Sequence, residues 1–496
     1  MKKIKILIAL LGLALPLVAC NTQKGNNNPG DPGDPADPGD PGDPGDPGNP
    51  VESLDLPEGG EEVDIEDQDF IAEFSELIES SPSKMGLSLL TNGASINLGL
   101  EADMNMSFNT DDDLMTDVKL EGAQTDLQID INPKISTSGF SLDGILEAID
   151  AVVSFNQKGK VDLTTDYYTY DEDDEGQEIK TAGEASISID ASKGLSAKAE
   201  LAGGNLYVDL SDRSIINFAL ANYESVLCFL GTVTGSIMPT GEMLASLLGV
   251  PEEQTFNEFV LEKWEEFGLD KFYFTEEQLE DVLGLNNNND SAMAVPENRI
   301  EDETGEEVEE KTELQIALEV MTLVPGLLNV KNYEDGSYGF KVNINKNIIT
   351  ELYKISEYMN ENDGSLEGYD ASQIELDPAF RISFEEIEKI DFTVIAIMDR
   401  VGRFTTLEAE ASFDGAIVNL NYYDEEGKEL ENPVIEKELV AGNFDLHLTL
   451  NADYVGPKVR PAASHDDYVS FSSILEKLEG LLSTGEKQEQ EPTIED

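Results

Sequence analysis

The sequence predicts an α+β fold dominated by antiparallel β-sheet. Three observations predict it. Ile96, Leu98, Leu100, Ala102, Met104, Met106 and Phe108 alternate with mostly polar residues, the period of a strand with one apolar and one wet face. Stretches with helical spacing fall in blocks between such runs of strands, at the start, middle and end of residues 67–484. That span is long enough to bury a substantial core.

The chain opens on Lys2, Lys3 and Lys5, followed by an apolar run from Ile6 to Val18. The run is too short to span a bilayer as a helix and fits a signal-peptide core. It ends in Leu17-Val18-Ala19-Cys20, which resembles the lipobox of bacterial lipoproteins. The resemblance implies that residues 1–19 are a cleaved signal and that the Cys20 thiol accepts a diacylglycerol anchor. It also implies a place on the outer face of the bacterial cell membrane, or in the outer membrane where the source has one. Residues 20–66 read as a disordered tether, because Pro29 to Pro50 is a Gly-Asp-Pro triplet repeat. Glycine at every third position is shared with collagen. Here Ala36 interrupts a short run, and six aspartates have no basic partner. A self-repelling, proline-stiffened spacer therefore fits better.

Asp67–Ser80 follows as a helix, with Phe70, Ile71, Phe74, Leu77 and Ile78 on one face. After the long strand at 96–108, Val118 and Leu120, then Leu127, Ile129 and Ile131, continue the alternation. Leu142–Ala151 fits helix or strand equally. Ala185–Ile189 and Leu195–Leu201 are strands, and Gly203-Gly204 turns the chain into Leu206–Leu210. The middle is helical at Ile215–Leu230, Glu242–Leu248, Thr255–Phe267 and Thr275–Leu283. Val226–Met238 is well short of a membrane span and is expected to be a core helix; Trp264 shares an apolar helical face with Phe256, Val260 and Phe267. Residues 285–311, with seven acids in Glu301–Glu310, read as a disordered insertion. Glu313–Leu323 and Asn347–Met359 are helices, Tyr338–Ile344 and Asp391–Met398 strands, the latter apolar on both faces. Asp414-Gly415 stands between Leu407–Phe413 and Val418–Tyr422 as a hairpin signal. Phe444–Leu450 is a last strand and Ile474–Leu482 a closing helix, before a loose tail, 485–496.

Charge and cysteine content narrow the function classes. Against 31 Lys and Arg stand 103 Asp and Glu, a formal net charge of −72, which repels nucleic acid and anionic lipid head groups. There are only two cysteines. With Cys20 acylated no disulfide can form, and Cys228, in Val226-Leu227-Cys228-Phe229-Leu230, is expected to be a small buried hydrophobe.

The order of elements resembles that of the LolA/LppX-like lipoprotein carriers. The residues carrying the resemblance are Gly204-Asn205-Leu206-Tyr207-Val208-Asp209-Leu210, Asp335-Gly336-Ser337-Tyr338-Gly339-Phe340-Lys341-Val342, and Phe392–Met398 with the Gly415 turn. The likeness is one of pattern and covers most of 67–484. The helical middle is longer than in that family, and the acidic insertion has no counterpart. The resemblance implies a strongly curved antiparallel sheet, a half-barrel wrapped around helices, binding a lipid-like ligand between the two. The alternative is a surface interaction or spacer lipoprotein without a pocket, which calls for an exposed apolar patch.

Catalysis has few candidates. His447 alternates outward with Asp445 and Thr449, and His465 sits in a polar loop beside Asp466 and Asp467, neither at a metal-ligand spacing. Ser81-Pro82-Ser83-Lys84 and Lys180-Thr181-Ala182-Gly183 echo motifs of penicillin-recognising enzymes, but no middle motif lies between them. Asp111–Asp113 and Asp171–Gly176 lack the EF-hand spacing for calcium. The expectation is a non-catalytic protein without cofactor or metal, held at the membrane through Cys20, whose hydrophobic small-molecule or lipid ligand is its partner.

Overall fold

The computed structural model of the chain describes residues 54–65, 68–109, 114–134, 149–172, 178–283, 321–362, 366, 368–423 and 428–485. The expected signal peptide, Cys20, the tether up to residue 53, the insertion 285–311 and the tail beyond residue 485 lie outside the described residues.

The architecture is α+β, and fourteen strands form one open sheet. They are β1 (Glu61–Glu62), β2 (Ala94–Asn109), β3 (Met115–Pro133), β4 (Ile149–Glu172), β5 (Glu178–Asp190), β6 (Leu195–Ala202) and β7 (Asn205–Asp209). After a helical block come β8 (Lys271–Phe274), β9 (Leu328–Asn332), β10 (Tyr338–Asn345), β11 (Ile387–Met398), β12 (Phe404–Tyr423), β13 (Glu429–Asp453) and β14 (Val469–Ser470). Their order across the sheet is β1-β9-β10-β11-β12-β13-β2-β3-β4-β6-β7-β8-β14, with β5 paired to the distal half of β4. Every described pairing is antiparallel except the short contact of β14 with β8. The helices are α1 (Gln68–Thr91), α2 (Ser214–Thr234), α3 (Gly241–Leu247), α4 (Phe256–Phe267), α5 (Glu276–Leu283), α6 (Lys346–Glu361), α7 (Pro378–Glu385) and α8 (Phe471–Gly485).

Several strands are far longer than a typical strand of 5–6 residues, and glycines let them bend. Gly442 of β13 has φ 133° and Gly415 of β12 has φ 140°, and the two face one another in register. A Cβ on Gly442 would lie 2.1 Å from the Asn105 carbonyl oxygen of β2, and one on Gly415 would lie 2.5 Å from that of Glu386. Gly159 of β4, at φ 144°, makes the same approach to Ala123 of β3, where the register of β3 and β4 shifts. Backbones meet across these glycines more closely than any side chain allows.

This overturns the hairpin expected at Asp414-Gly415. The two apolar runs are one strand, β12, whose alternation changes phase at Gly415, opposite a bulge in β11 where Glu388 is the extra residue between Ile387 and Lys389. The φ of Gly415 lies outside the αL values that a two-residue turn needs. At Gly203-Gly204 those values, 60° and 83°, are present and the hairpin of β6 and β7 forms.

Two further boundaries differ from the sequence reading. The expected tether ends earlier, since Leu56 is buried, β1 pairs with β9, and Lys341 donates to Asp55 at 2.6 Å. An unpaired sheet edge offers hydrogen bonds that a polar segment can take without an apolar core of its own. The first helix, expected to stop at Ser80, continues through Pro82 to Thr91. Its second half sets Met85 and Leu89 against Ala94, Ala452 and Tyr454, packing that offsets the ~3 kcal/mol cost of an internal proline.

Candidate functional site

The register of the sheet brings its apolar positions into line. Val330, Phe340, Ala396, Leu407, Leu450, Leu98, Leu127, Phe155 and Ala197 are successive partners across nine strands. Two residues along, Ala452, Ile96, Ile129, Val153, Ala199, Val208 and Phe272 form a parallel row. Period-two alternation puts both rows on one face, which is apolar from β9 to β8.

Helices cover the two ends of that face. Ile71 and Phe74 of α1 pack with Leu328, Val330, Phe340 and Val342. Ile348 and Ile355 of α6 pack with Val342 and Ile344. At the far end Phe471 of α8 meets Phe272 and Phe274, with ring centres 5.9 and 4.5 Å apart. Between these covers Leu407, Leu448, Leu98, Leu100, Leu127, Val153 and Phe155 are only half-buried. The second half of α1 carries on past β12 to Ala452 of β13, Ala94 of β2 and β3, so the half-buried part of the face lies to one side of that helix. That part of the face is a trough floored by leucine and phenylalanine.

The opposite face is polar and carries its own construction. Ser95, Asp130, Val152, Glu200 and Tyr207 are successive partners across β2, β3, β4, β6 and β7. The connection 454–468 crosses this row and is fastened to two buried carboxylates. Asp130, 1% exposed, accepts the Lys458 N–H at 2.7 Å and the Gln128 side-chain amide at 2.7 Å. Glu200, 3% exposed, accepts the Ala462 N–H at 2.7 Å, pairs with His465 Nε2 at 2.9 Å and meets Lys198 Nζ at 2.6 Å. Burial opposes ionisation of both acids, but these donors outweigh it, and both carboxyls titrate below their ordinary range. The His465 ring stacks on Tyr207 at 3.8 Å, and Tyr468 stands edge-on to Tyr207. Beside it Lys271 bridges Asp467 at 2.7 Å and Asp209 at 3.7 Å. Further along the same face, Gln124, Asp126, Asn156, Ser196, Asp212 and Ser214 line a polar cleft of 320 Å³.

His465, read from sequence as a residue of a polar loop, is therefore a packed member of the loop fastening; a covered sheet face, which a sequence window cannot show, buries it. His447 lies on the polar face, half-exposed, with Nε2 3.0 Å from Glu408 Oε1. Ser81 is buried in α1 with its hydroxyl 3.6 Å from the Met85 sulphur, whereas Lys180 and Gly183 lie on β5. Among the described residues no group of three or more His, Cys, Asp or Glu could hold a metal ion. Asp111–Asp113 and residues 173–176 fall outside the described residues, as does Cys20, the expected lipidation site.

Cys228 is exposed, not buried. Of its helix, α2, only Ile216 is fully buried, so the expected core helix lies on the surface. Trp264 does not simply fill the core; its indole N–H donates to Asp270 at 2.9 Å, and Asp270 also receives Arg213 Nη2 at 2.6 Å. Asp130 and Glu200 escaped the sequence reading because each stands at an ordinary polar position of an alternating strand, among 103 acids. No family model matches the chain, and no match to a curated protein is found.

Proposed function

We propose that the protein is a lipoprotein held at the outer face of the cell membrane by a diacylglycerol on Cys20, and that it binds a hydrophobic, lipid-like ligand without catalysis. The observation that supports the ligand is the half-buried apolar trough between α1, α6 and α8. Leucine and phenylalanine left in contact with water favour any apolar chain that covers them, at about 0.8 kcal/mol per methylene buried. The pairing register aligns the floor across successive strands. The support for the anchor is the basic, apolar and Leu17-Val18-Ala19-Cys20 sequence of the first twenty residues. A carrier of the LolA/LppX kind, a half-barrel open on one face, is the closest description of such a protein.

Native mass spectrometry tests the ligand. The chain from residue 20 onward, with Cys20→Ser so that no anchor lipid is present, is purified from its host and sprayed intact. A stoichiometric lipid-sized adduct that disappears on denaturation is expected. A bare polypeptide mass, unchanged after incubation with host lipids, refutes the ligand. Metabolic labelling with a fatty acid tests the anchor, and incorporation must vanish in Cys20→Ser.

A second reading has its own support. Where β12 and β13 run beyond the bend, Ile417, Tyr422, Tyr423, Val434 and Ile435 are exposed. An aromatic and aliphatic surface of this kind suits a protein partner. A surface interaction protein becomes the better description if no adduct is found.

A further inference from the structure

We infer that α2, α3 and the turn between them form a lipid-facing surface that docks on an electrically neutral bilayer. The first observation is charge. Residues 214–250 carry only Glu224 and Glu242, with no lysine or arginine, in a chain where 27% of residues are charged. The flanks return at once to charge, with Asp212 and Arg213 on one side and Glu252 and Glu253 on the other. The second is exposure. Ile237 is 91% exposed and Leu247 75%, with Leu230 and Met243 also in solvent. The third is the helix itself. α2 is 21 residues long, apolar enough in composition to enter a membrane, and none of its most apolar window is buried in the protein.

These features select the partner. Protein interfaces concentrate binding energy in tryptophan, tyrosine and arginine, and the most exposed large side chains here are isoleucine, leucine and methionine. They stand out from the surface, on the turn after α2 and on α3, as side chains that enter the acyl boundary do. A nucleic acid or an anionic membrane is excluded by the field of the rest of the chain. A zwitterionic surface demands no cation, and the charge-poor span presents none. Placement agrees with an anchored chain. α2 packs against β5 and β6, and β6 is nine strand spacings from β1, roughly 45 Å along the sheet. Thirty-four residues, the length of 20–53, have a contour length of roughly 105 Å at ~3.1 Å each, more than that distance.

The inference is independent of the trough and of the lipid on Cys20. The chain from residue 20 with Cys20→Ser is floated with phosphatidylcholine vesicles, and again carrying Ile237→Asp and Leu247→Asp. Both positions are exposed, so the fold is retained, which circular dichroism and elution volume check. The parent chain is expected to float, and the paired substitutions to lower its bound fraction by about tenfold or more. A parent that does not float, or flotation indifferent to the substitutions, overturns the inference. So does binding that requires phosphatidylglycerol. A concentration-dependent dimer dissociated by the same substitutions also overturns it, assigning the surface to a second copy.

Discussion

Replacing Glu200 by alanine is expected to release the connection 454–468 from the sheet. The carboxylate holds the Ala462 N–H at 2.7 Å and His465 Nε2 at 2.9 Å, both in a site where Glu200 is 3% exposed. Hydrogen bonds to a charged group contribute about 1.5–3 kcal/mol each. The third partner, Lys198, has a side chain 43% exposed and returns to water, so its pair adds no more than about 1 kcal/mol. Against these gains stands the desolvation of the carboxylate, which its removal relieves. Loss of one member of a buried polar pair then costs about 3 kcal/mol, roughly a hundredfold in the opening equilibrium. Glu200→Gln, which keeps the shape and one acceptor oxygen, costs about 1 kcal/mol. Urea unfolding measures the global part, and hydrogen exchange at the Ala462 amide measures the local part. The Lys198→Ala variant is the control. If the Ala462 amide exchanges in Glu200→Ala as slowly as in the parent, the carboxylate does not fasten the loop and the reasoning fails.

Four further outcomes follow from the geometry. Asp130 and Glu200 both titrate below their ordinary range in the folded chain, so their stabilisation is present above pH ~4.3, the unfolded value for glutamate. It is lost as pH falls through the lowered folded values; proteolysis of 454–468 should accelerate there, and far less so with Asp130→Asn and Glu200→Gln combined. Gly442→Ala forces a Cβ to 2.1 Å from a backbone carbonyl oxygen at a φ that favours glycine, and should cost ~2 kcal/mol or more in urea unfolding. Gly480→Ala, in α8 with nothing within 4 Å of its added Cβ, should instead stabilise by ~0.5–1 kcal/mol. Cys228 is exposed and should react with a maleimide in the native protein; a thiol that labels only in denaturant would return α2 to the core.

Much of the fold was legible where one physical rule governed a long stretch. The alternation from Ile96 to Phe108 could satisfy only a strand with one apolar face, and β2 runs Ala94–Asn109. Thr255 with Glu258 caps α4 in reciprocal fashion, so its start matched closely. Gly203-Gly204 turned as read. Asp414-Gly415 has the composition of a turn but lies within a strand, because its conformation is decided by the neighbouring backbones of β11 and β13 rather than by the dipeptide. The surface position of α2 escaped for a related reason. An apolar helix in a window of sequence looks the same whether a sheet or a solvent-facing surface awaits it.

The candidate site divides in the same way. By itself the sequence determined which residues are apolar and in what period, and with that the existence of an apolar and a polar face; it also carries the basic, apolar and Leu17-Val18-Ala19-Cys20 stretch on which the proposed anchor rests. Only the tertiary structure decided how far the apolar face extends, since the register joins leucines hundreds of residues apart into one row. It alone selected Asp130 and Glu200 from 103 acids, because burial and the approach of two backbone amides are properties of the folded chain. Pattern is local, and a chain carries it along its length. Coverage and burial depend on what returns from elsewhere to lie on top, and that is settled only when the sheet closes its pairings.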